Sequence, residues 1–334
     1  MNYLRRVSTV QLTVLALAST LLVIMQGAFV RVTGSGAGCG RHWPTCNGDV
    51  VPLSHTTESL IEFSHRLLSL VILLIGTWLV VRAFRERREN RSVWIFALVA
   101  YILLLNEALL GALTVLWGLT GDNASMARGL MVAAHLVNSL LLMGALAVTY
   151  FFAKHPAARV KWRGQLGLST VLLVGILSML LLMFSGGIAA MGNTMFAPAA
   201  ESLREGLAHD LNPESHPLIR LRILHPVLGM TVGTYLLVLM GFVWWLKPAD
   251  DVKRHCRWLA VVYFMQLAVG LATLVLRAPR VLQLLHLGVA TVIFAQLSLL
   301  AVAALASPVR RSLLRTESVA DGAVTPNINV EHAT

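Results

Sequence analysis

The chain alternates between long apolar runs and short polar segments, and this alternation gives the first structural prediction. An α-helix needs roughly 20 apolar residues to cross the hydrocarbon core of a bilayer. The runs are continuous rather than alternating in polarity, which excludes the strand pattern of an outer-membrane barrel. We therefore predict eight transmembrane helices, at residues 9–30, 60–81, 92–116, 129–152, 166–190, 221–246, 258–276 and 281–306.

The composition supports the same fold class. The chain has 334 residues, of which 57% are hydrophobic and only 13% are charged, and its mean hydropathy is +0.72. These values exclude a soluble globular enzyme and a disordered protein. The expected fold is all-α, a polytopic membrane protein.

The net charge is +11, and the distribution of the basic residues along the chain predicts its orientation in the membrane. Most Lys and Arg residues fall in every second connection, which the positive-inside rule assigns to the cytoplasm. This distribution predicts that both termini are cytoplasmic, and it argues against a nucleic acid partner. The clusters are Arg5 and Arg6; Arg82, Arg85, Arg87, Arg88 and Arg91; Lys154, Arg159, Lys161 and Arg163; Lys247, Lys253, Arg254 and Arg257; and Arg310, Arg311 and Arg315.

The two halves of the chain resemble each other. Residues 110–115 in the third span match residues 269–274 in the seventh, and Gly27 in the first span matches Gly186 in the fifth. Copies with an even number of spans share one orientation, and four-helix bundles often hold cofactors between their helices. We therefore expect two pseudo-symmetric four-helix bundles at 1–153 and 166–307, a cytoplasmic linker at 154–165 and a polar cytoplasmic tail at 308–334.

Four of the eleven histidines lie inside the predicted spans, one on each even-numbered span: His65, His135, His225 and His286. Each is about four to six residues from the outer end of its helix, or roughly 6–9 Å deep. Two imidazoles at one depth can bind the iron of a haem from its two faces. A single intramembrane histidine often only hydrogen-bonds a neighbouring helix, but four in matched positions favour haem.

Arginines near the outer side run against the positive-inside bias. They are candidates for contact with haem propionates, because guanidinium pairs with carboxylate. Contact with lipid headgroups by snorkelling is the alternative. The candidates are Arg31, Arg66, Arg128, Arg222 and Arg280.

Acidic residues distinguish the first half from the second. Glu62 precedes His65 by three residues, whereas Arg222 stands at the corresponding position before His225. An ionisable group beside a haem site is a functional candidate, so one half could carry out chemistry while the other transfers electrons. Glu107 in the third span is either a proton-handling group or an interhelical hydrogen-bond partner.

Three segments together resemble the haem A synthase family. They are residues 27–39 (GAFVRVTGSGAGC), residues 43–46 (WPTC) and residues 62–66 (EFSHR). The combination of a glycine-rich, cysteine-flanked loop with the ExxHR sequence is specific, and the resemblance covers roughly residues 10–306.

The resemblance implies oxidation of a ring methyl of haem O to the formyl group of haem A, which terminal oxidases use. His65 and His135 would bind substrate haem O, with Glu62 as the catalytic acid. His225 and His286 would hold a permanent haem b. Cys39 and Cys46 lie on the outer side, where a disulfide can persist, and the resemblance implies a loop disulfide whose role is either redox or structural.

The resemblance also implies partners. These are a haem O synthase (a protohaem farnesyltransferase), the assembly of a terminal oxidase, and a membrane electron donor or acceptor in the cell inner membrane; a homo-oligomer is compatible with the sequence. Two features depart from the family pattern. Glu107 stands where the family has Gln, and the connection at 191–220 lacks a cysteine pair.

Two other functions compete with this interpretation. A dihaem b-type membrane electron-transfer protein would explain the four histidines but neither Glu62 nor the loop cysteines. A permease built from two repeats would explain the repeat and the intramembrane acids, but no predicted span is clearly broken at its middle, as transporter helices often are.

Overall fold

The computed structural model describes residues 7–51, 56–161, 163–196 and 203–309. Eight of its helices are long and apolar enough to cross a membrane, which confirms the predicted all-α fold with eight spans. The helices are α1 (Thr9–Val32), α2 (Thr57–Arg85), α3 (Arg91–Leu116), α4 (Met126–Lys154), α5 (Leu166–Met195), α6 (Leu203–Leu211), α7 (Pro217–Leu221), α8 (Leu224–Leu246), α9 (Asp250–Val275) and α10 (Arg280–Ala306), with a 3-10 turn at Ser35–Ala37.

Consecutive long helices run antiparallel, so the bundle has two distinct ends. The C-termini of α1, α3, α5 and α9 meet the N-termini of α2, α4, α7 and α10 at what we call the histidine end. At the opposite end, which we call the basic end, Thr9 of α1 donates to Glu86 and accepts from Arg82 at the end of α2.

Several helices begin earlier than the hydrophobic pattern predicts. Thr56 and Ser125 cap α2 and α4, accepting hydrogen bonds from the backbone N–H groups of Ser59 and Arg128. Such caps satisfy amide groups that lack intrahelical partners. At the basic end, α9 starts at Asp250 rather than 258, because two aspartates in its first turn suit the helix dipole. The polar first turns are therefore helical although they are not apolar.

The earlier helix starts change the depth of the four histidines. Each lies six to nine residues after the first residue of its span, which corresponds to roughly 9–14 Å along the helix axis rather than the predicted 6–9 Å. The four positions nevertheless remain matched, because the helices lengthen at the same end.

The connection before the sixth span contains α6 and α7, which the hydrophobic pattern did not predict. The span itself runs from Pro217 to Leu246 and is interrupted by a turn at Arg222 and Ile223. Pro226 explains the interruption, because proline has no N–H and its ring clashes with the carbonyl four residues earlier. The break lies at the histidine end of the span, one residue before α8 begins.

Helices α4 and α10 form the centre of the bundle. More than half of the residues in the most apolar stretch of each of these helices are buried, whereas few residues in that stretch of α9 are buried. Helix α4 packs against α3, α5, α10 and α1, and a Cβ atom added at Gly144 of α4 would lie 2.9 Å from the ring of Phe294 on α10. The two halves therefore share a common core, and their division into two bundles stays a prediction.

Candidate haem-binding sites

Each of the four intramembrane histidines packs against a glycine on the preceding long helix. A Cβ atom added at the glycine would lie close to the Cε1 atom of the imidazole in every case. The pairs and distances are Gly27–His65 at 3.0 Å, Gly111–His135 at 3.8 Å, Gly186–His225 at 2.9 Å and Gly270–His286 at 2.9 Å. Since the same contact recurs on α1/α2, α3/α4, α5/α8 and α9/α10, the four imidazoles occupy related positions.

The two second-half imidazoles lie close enough to each other to bind one metal ion between them. The ring centroids of His225 and His286 are 6.1 Å apart and their planes are inclined by 82°. A metal–imidazole bond is about 2 Å long, so two such bonds on opposite faces of one metal place the ring centres about 6 Å apart. We call this pair the second pocket; its spacing fits a haem iron held from both sides.

The second-pocket histidines have different hydrogen bonds. Nδ1 of His225 lies 3.2 Å from the carbonyl oxygen of Leu182 and 3.2 Å from Ser185 Oγ. A carbonyl oxygen only accepts, so Nδ1 carries the proton and Nε2 keeps its lone pair for a metal. This is the usual outer hydrogen bond of a metal-binding histidine. In contrast, the Nε2 atom of His286 lies 3.1 Å from Gln266 Nε2.

Unsatisfied polar atoms concentrate around the histidines. Within the described ranges, five buried side-chain polar atoms have no hydrogen-bond partner, and four of them belong to the pockets: the Nδ1 atoms of His65, His135 and His286, and Oε1 of Gln266. Buried polar atoms normally find partners. The unpartnered imidazole nitrogens leave hydrogen-bonding or ligand capacity at these positions, which fits the nitrogen-ligand chemistry of haem iron.

We call His65 and His135 the first pocket, and an acidic network lies beside His135. Oε1 of Glu107 lies 3.5 Å from His135 Nε2, and its carboxylate accepts hydrogen bonds from Asn138 Nδ2 and Ser139 Oγ. Asn138 also receives a hydrogen bond from Asn106 at 2.8 Å. Three polar residues on α3 and α4 thus support one carboxylate beside one imidazole.

A second carboxylate connects the first pocket to the loop after α1. Glu62 is only 4% exposed. Its Oε2 accepts the backbone N–H of Cys39 at 2.9 Å, and its Oε1 pairs with Arg66. The loop approaches α2 closely because Gly38 has no side chain: a Cβ atom there would lie 2.4 Å from the backbone of Glu58.

A disulfide joins Cys39 to Cys46, and both residues are fully buried. The pairing implied by the sequence resemblance is therefore present. Arg66 of α2 binds the same loop by donating hydrogen bonds to the carbonyl oxygens of His42, at 2.7 Å, and of Thr45. The loop, the disulfide and Glu62 form one connected unit over the first pocket.

This arrangement agrees with a comparison of the sequence with protein families. Residues 10–298 match the cytochrome oxidase assembly protein family, COX15-CtaA. The chain belongs to the COX15-CtaA family. The match covers all eight spans and all four intramembrane histidines.

Curated relatives of this COX15-CtaA chain carry two kinds of name. Proteins of two Thermus thermophilus strains, named Protoheme IX farnesyltransferase, are 39% and 38% identical over 291 residues, which is 87% of this chain and 47% of each relative. The Heme A synthase of Lysinibacillus sphaericus is 44% identical over 105 residues, 31% of this chain and 34% of the relative. The Bacillus cereus enzyme is 38% identical over 107 residues, 32% and 34% of the two chains. The chain thus spans about half the length of the Thermus relatives.

The candidate propionate arginines have protein partners in this COX15-CtaA structure, with one exception. Arg31 leaves its own half and donates to Ala190 O at 2.8 Å and to Gln283. Arg128 donates to loop carbonyls of residues 121 and 123, and Arg222 forms a bidentate pair with Asp210. Arg66 is occupied as described above, while Arg280 is exposed at the first residue of α10. Contact between these arginines and haem propionates stays a prediction. For the four arginines that have protein partners, a propionate would add to or replace the hydrogen bonds described above.

The sequence analysis missed the contacts that position the histidines. Gly27, Gly111, Gly186 and Gly270 belong to the matched segments of the two halves, so their recurrence was visible, but their contact with imidazole was not. The network of Asn106, Asn138 and Ser139 around Glu107 was also missed. Its signal is the spacing of Asn138 and Ser139, three and four residues after His135, which places them on the same face of α4.

Proposed function

We propose that this protein is a haem A synthase, which oxidises the ring methyl of haem O to the formyl group of haem A. The observation that carries the proposal is an asymmetry between two otherwise matched histidine pockets. The first has Glu62 and Glu107 beside its imidazoles, whereas Arg222 and Gln266 occupy the corresponding positions of the second. Chemistry needs such proton-accepting groups, while electron transfer alone does not.

In this proposal the first pocket binds the substrate. His65 and His135 would bind haem O, and His225 and His286 would hold a resident haem b. Support comes from the 6.1 Å spacing of the second pair and from the orphaned nitrogens of the first pair. Haem b, when bound, supplies one-electron transfer between the substrate pocket and a membrane donor or acceptor.

Glu62 would act as the proton acceptor of the first pocket. It lies one helical turn from His65, on the same face of α2 and on the side of the loop. The Cys39 N–H and Arg66 hold its two oxygens in place, so that the carboxylate has a fixed orientation. The disulfide contributes by fixing the position of the Cys39 N–H, and the buried position of Glu62 limits access of water to this carboxylate.

The relatives support the assignment and suggest a partner. Several proteins that match a third of the chain are named Heme A synthase. The Thermus relatives contain a matching segment in chains about twice as long that are named for farnesyl transfer to protohaem. Because the matching segment lies in the same chain as the named farnesyl transfer, we propose that a haem O-forming farnesyltransferase delivers the substrate and that terminal oxidase assembly receives the product.

The proposed location is the cell inner membrane, with both termini in the cytoplasm and the histidine end outside. The charge distribution supports this orientation. Exposed tryptophans at both ends of the bundle, including Trp117 at the histidine end and Trp244, Trp245 and Trp258 at the basic end, are typical of residues at membrane interfaces.

Pigment analysis tests the function directly. The protein would be co-expressed with a haem O-forming farnesyltransferase, and the extracted haems would be separated by chromatography. Accumulation of haem A or of its hydroxylated precursor is expected. Haem O alone, bound together with haem b, would instead identify a dihaem electron-transfer protein, and absence of any haem bound by the four histidines would contradict both functions.

A further inference from the structure

The four histidine–glycine contacts are not equally tight. At Gly27, Gly186 and Gly270 an added Cβ atom would lie 2.9–3.0 Å from the imidazole, closer than real Cβ contacts, so these rings lie directly against the glycine backbone. At Gly111 the corresponding distance to His135 is 3.8 Å, and no other atom lies within 4 Å. His135 alone has clearance on this side.

The other contacts of His135 also indicate that its ring is held less firmly than those of His225 and His286. His225 is held through Nδ1 by two oxygens and His286 lies 3.1 Å from Gln266. The Nδ1 atom of His135 has no hydrogen-bond partner among the described residues, as is also the case for His65 and His286, but its Nε2 lies 3.5 Å from Glu107, farther than the 3.1 Å contact of His286, and its side chain is 32% exposed. Its ring is therefore less constrained than those of the second pocket.

The polar groups beside the two corresponding imidazoles differ in kind. The Glu107 carboxylate lies 3.5 Å from His135 Nε2, is held by Asn138 and Ser139, and can accept a hydrogen bond from a protonated ring nitrogen. In the second pocket the amide of Gln266 lies 3.1 Å from His286 Nε2, and Val289 and Ala290 follow His286 at the spacing at which Asn138 and Ser139 follow His135. A supported carboxylate therefore lies beside His135, whereas only an amide lies beside His286.

We infer that His135 would be the displaceable histidine of the first pocket, whereas His65 would stay fixed against Gly27 and both second-pocket histidines would hold their group permanently. This inference rests on the proposed function, because it concerns a haem bound in the first pocket. A substrate must enter and leave at every turnover, so one of the histidines that hold it has to release it readily. A resident cofactor has the opposite requirement, which the tight glycine contacts at His225 and His286 meet.

Carbon monoxide binding to the reduced protein tests the inference without relying on activity. Carbon monoxide needs a free axial position on ferrous haem. The full-length protein would be purified after co-expression with the farnesyltransferase, and its haem content would be measured by pigment extraction. In the wild type, only the first-pocket haem should react. His135→Ala should keep that haem and react completely, whereas His65→Ala should lose it. The unchanged spectrum of the second-pocket haem shows that each variant is folded.

The glycines provide a matched pair of variants. Gly111→Ala fills the clearance without moving the resting ring of His135, so the first-pocket haem should stay bound. The displaced ring would then have to leave its preferred rotamer, so the haem should react about fivefold to tenfold more slowly. Gly270→Ala should instead displace His286, so that the second-pocket haem is lost or becomes reactive.

Three results would each overturn the inference: equal haem loss in His65→Ala and His135→Ala, an unreactive wild type, or an unchanged rate in Gly111→Ala. None of them would contradict the proposed function, provided that the wild type binds a farnesylated haem in the first pocket. A protein that never binds a farnesylated haem through His65 or His135 would overturn the proposed function as well.

Discussion

The backbone N–H of Cys39 donates a 2.9 Å hydrogen bond to Oε2 of Glu62. This bond connects one half of the disulfide to the buried carboxylate that stands beside the first pocket. Since the other carboxylate oxygen is paired with Arg66, any change in the loop is transmitted to Glu62. The loop cysteines therefore have a structural task whether or not they exchange electrons.

Replacing Glu62 should separate haem binding from haem conversion. Glu62→Gln keeps the shape of the side chain but removes the proton acceptor, so second-pocket haem should be retained while haem A formation stops. The expected loss of rate is about 100-fold or more, as for other general acid–base groups. Pigment chromatography measures the products. Glu58→Gln, an exposed glutamate one turn earlier on α2, is the matched control, and wild-type turnover in Glu62→Gln would remove Glu62 from the mechanism.

Removing the disulfide should weaken both the loop and the conversion. Cys39 and Cys46 are seven residues apart, and closing so short a loop contributes on the order of 2–3 kcal/mol. The double variant Cys39→Ser/Cys46→Ser should therefore melt at a lower temperature and form less haem A, because the N–H partner of Glu62 loses its fixed position. Cys256→Ala, on α9 at the other end of the bundle, serves as the comparison. Unaltered conversion in the double variant would show that Glu62 does not depend on the loop.

An added methyl group at Gly186 should disturb the second pocket. The new Cβ atom would lie 2.9 Å from Cε1 and 3.2 Å from Nδ1 of His225, so the ring has to shift away from Leu182. Overpacking of this kind costs about 1–3 kcal/mol, and we expect reduced haem content in the absorption spectrum. Gly241→Ala, on the exposed face of α8 with no atom within 4 Å of its added Cβ, should leave the spectrum unchanged; equal spectra in both variants would contradict the contact.

Lys247 should make stability depend on pH at the basic end. Its side chain is fully buried, and its Nζ donates to Gln165 and, at 2.7 Å, to Ser307 O. Burial, together with the nearby charge of Lys161, lowers the pKa of Lys247 from 10.5 to about 8. Between pH 8 and 10.5 the unfolded chain then binds more protons than the folded protein, so stability rises with pH in this window and is flat below it.

The measurement for Lys247 is the melting temperature in detergent against pH. The wild type should gain a few degrees between pH 8 and 10.5 relative to Lys247→Met, which lacks the titrating group. Subtracting the variant's profile removes the contribution of tyrosines and other lysines. Parallel profiles for the two proteins would contradict the lowered pKa.

Single cysteines should report the orientation in the membrane. Asp122 lies exposed between α3 and α4 at the histidine end, and Arg88 lies exposed between α2 and α3 at the basic end. A membrane-impermeant maleimide added to intact cells should label Asp122→Cys and not Arg88→Cys. The native cysteines give little background, because Cys256 is buried and the other two form the disulfide. The reverse labelling pattern would invert the proposed topology.

Some features of the site were predictable from the sequence because they depend on local properties. That His65 and its partners lie at matched depths follows from the positions of the histidines in the apolar runs, although their absolute depth was predicted too small. The asymmetry between Glu62 and Arg222 follows from their spacing to a histidine. The bounds of the helices were less predictable, because polar first turns, such as those at Asp250 and Ser125, are stabilised by capping and dipole effects rather than by hydrophobicity.

Eight membrane helices, and one histidine at a matched depth on each even span, could be read from the sequence, since composition and helical periodicity act along the chain. Three contacts required the folded structure: Arg31 reaches Ala190 in the other half, Cys39 supports Glu62, and His135 has about 1 Å more clearance from its glycine than the other three histidines. These contacts depend on how each helix is rotated and how closely it packs, and distances between residues far apart in the chain are set by the assembled bundle.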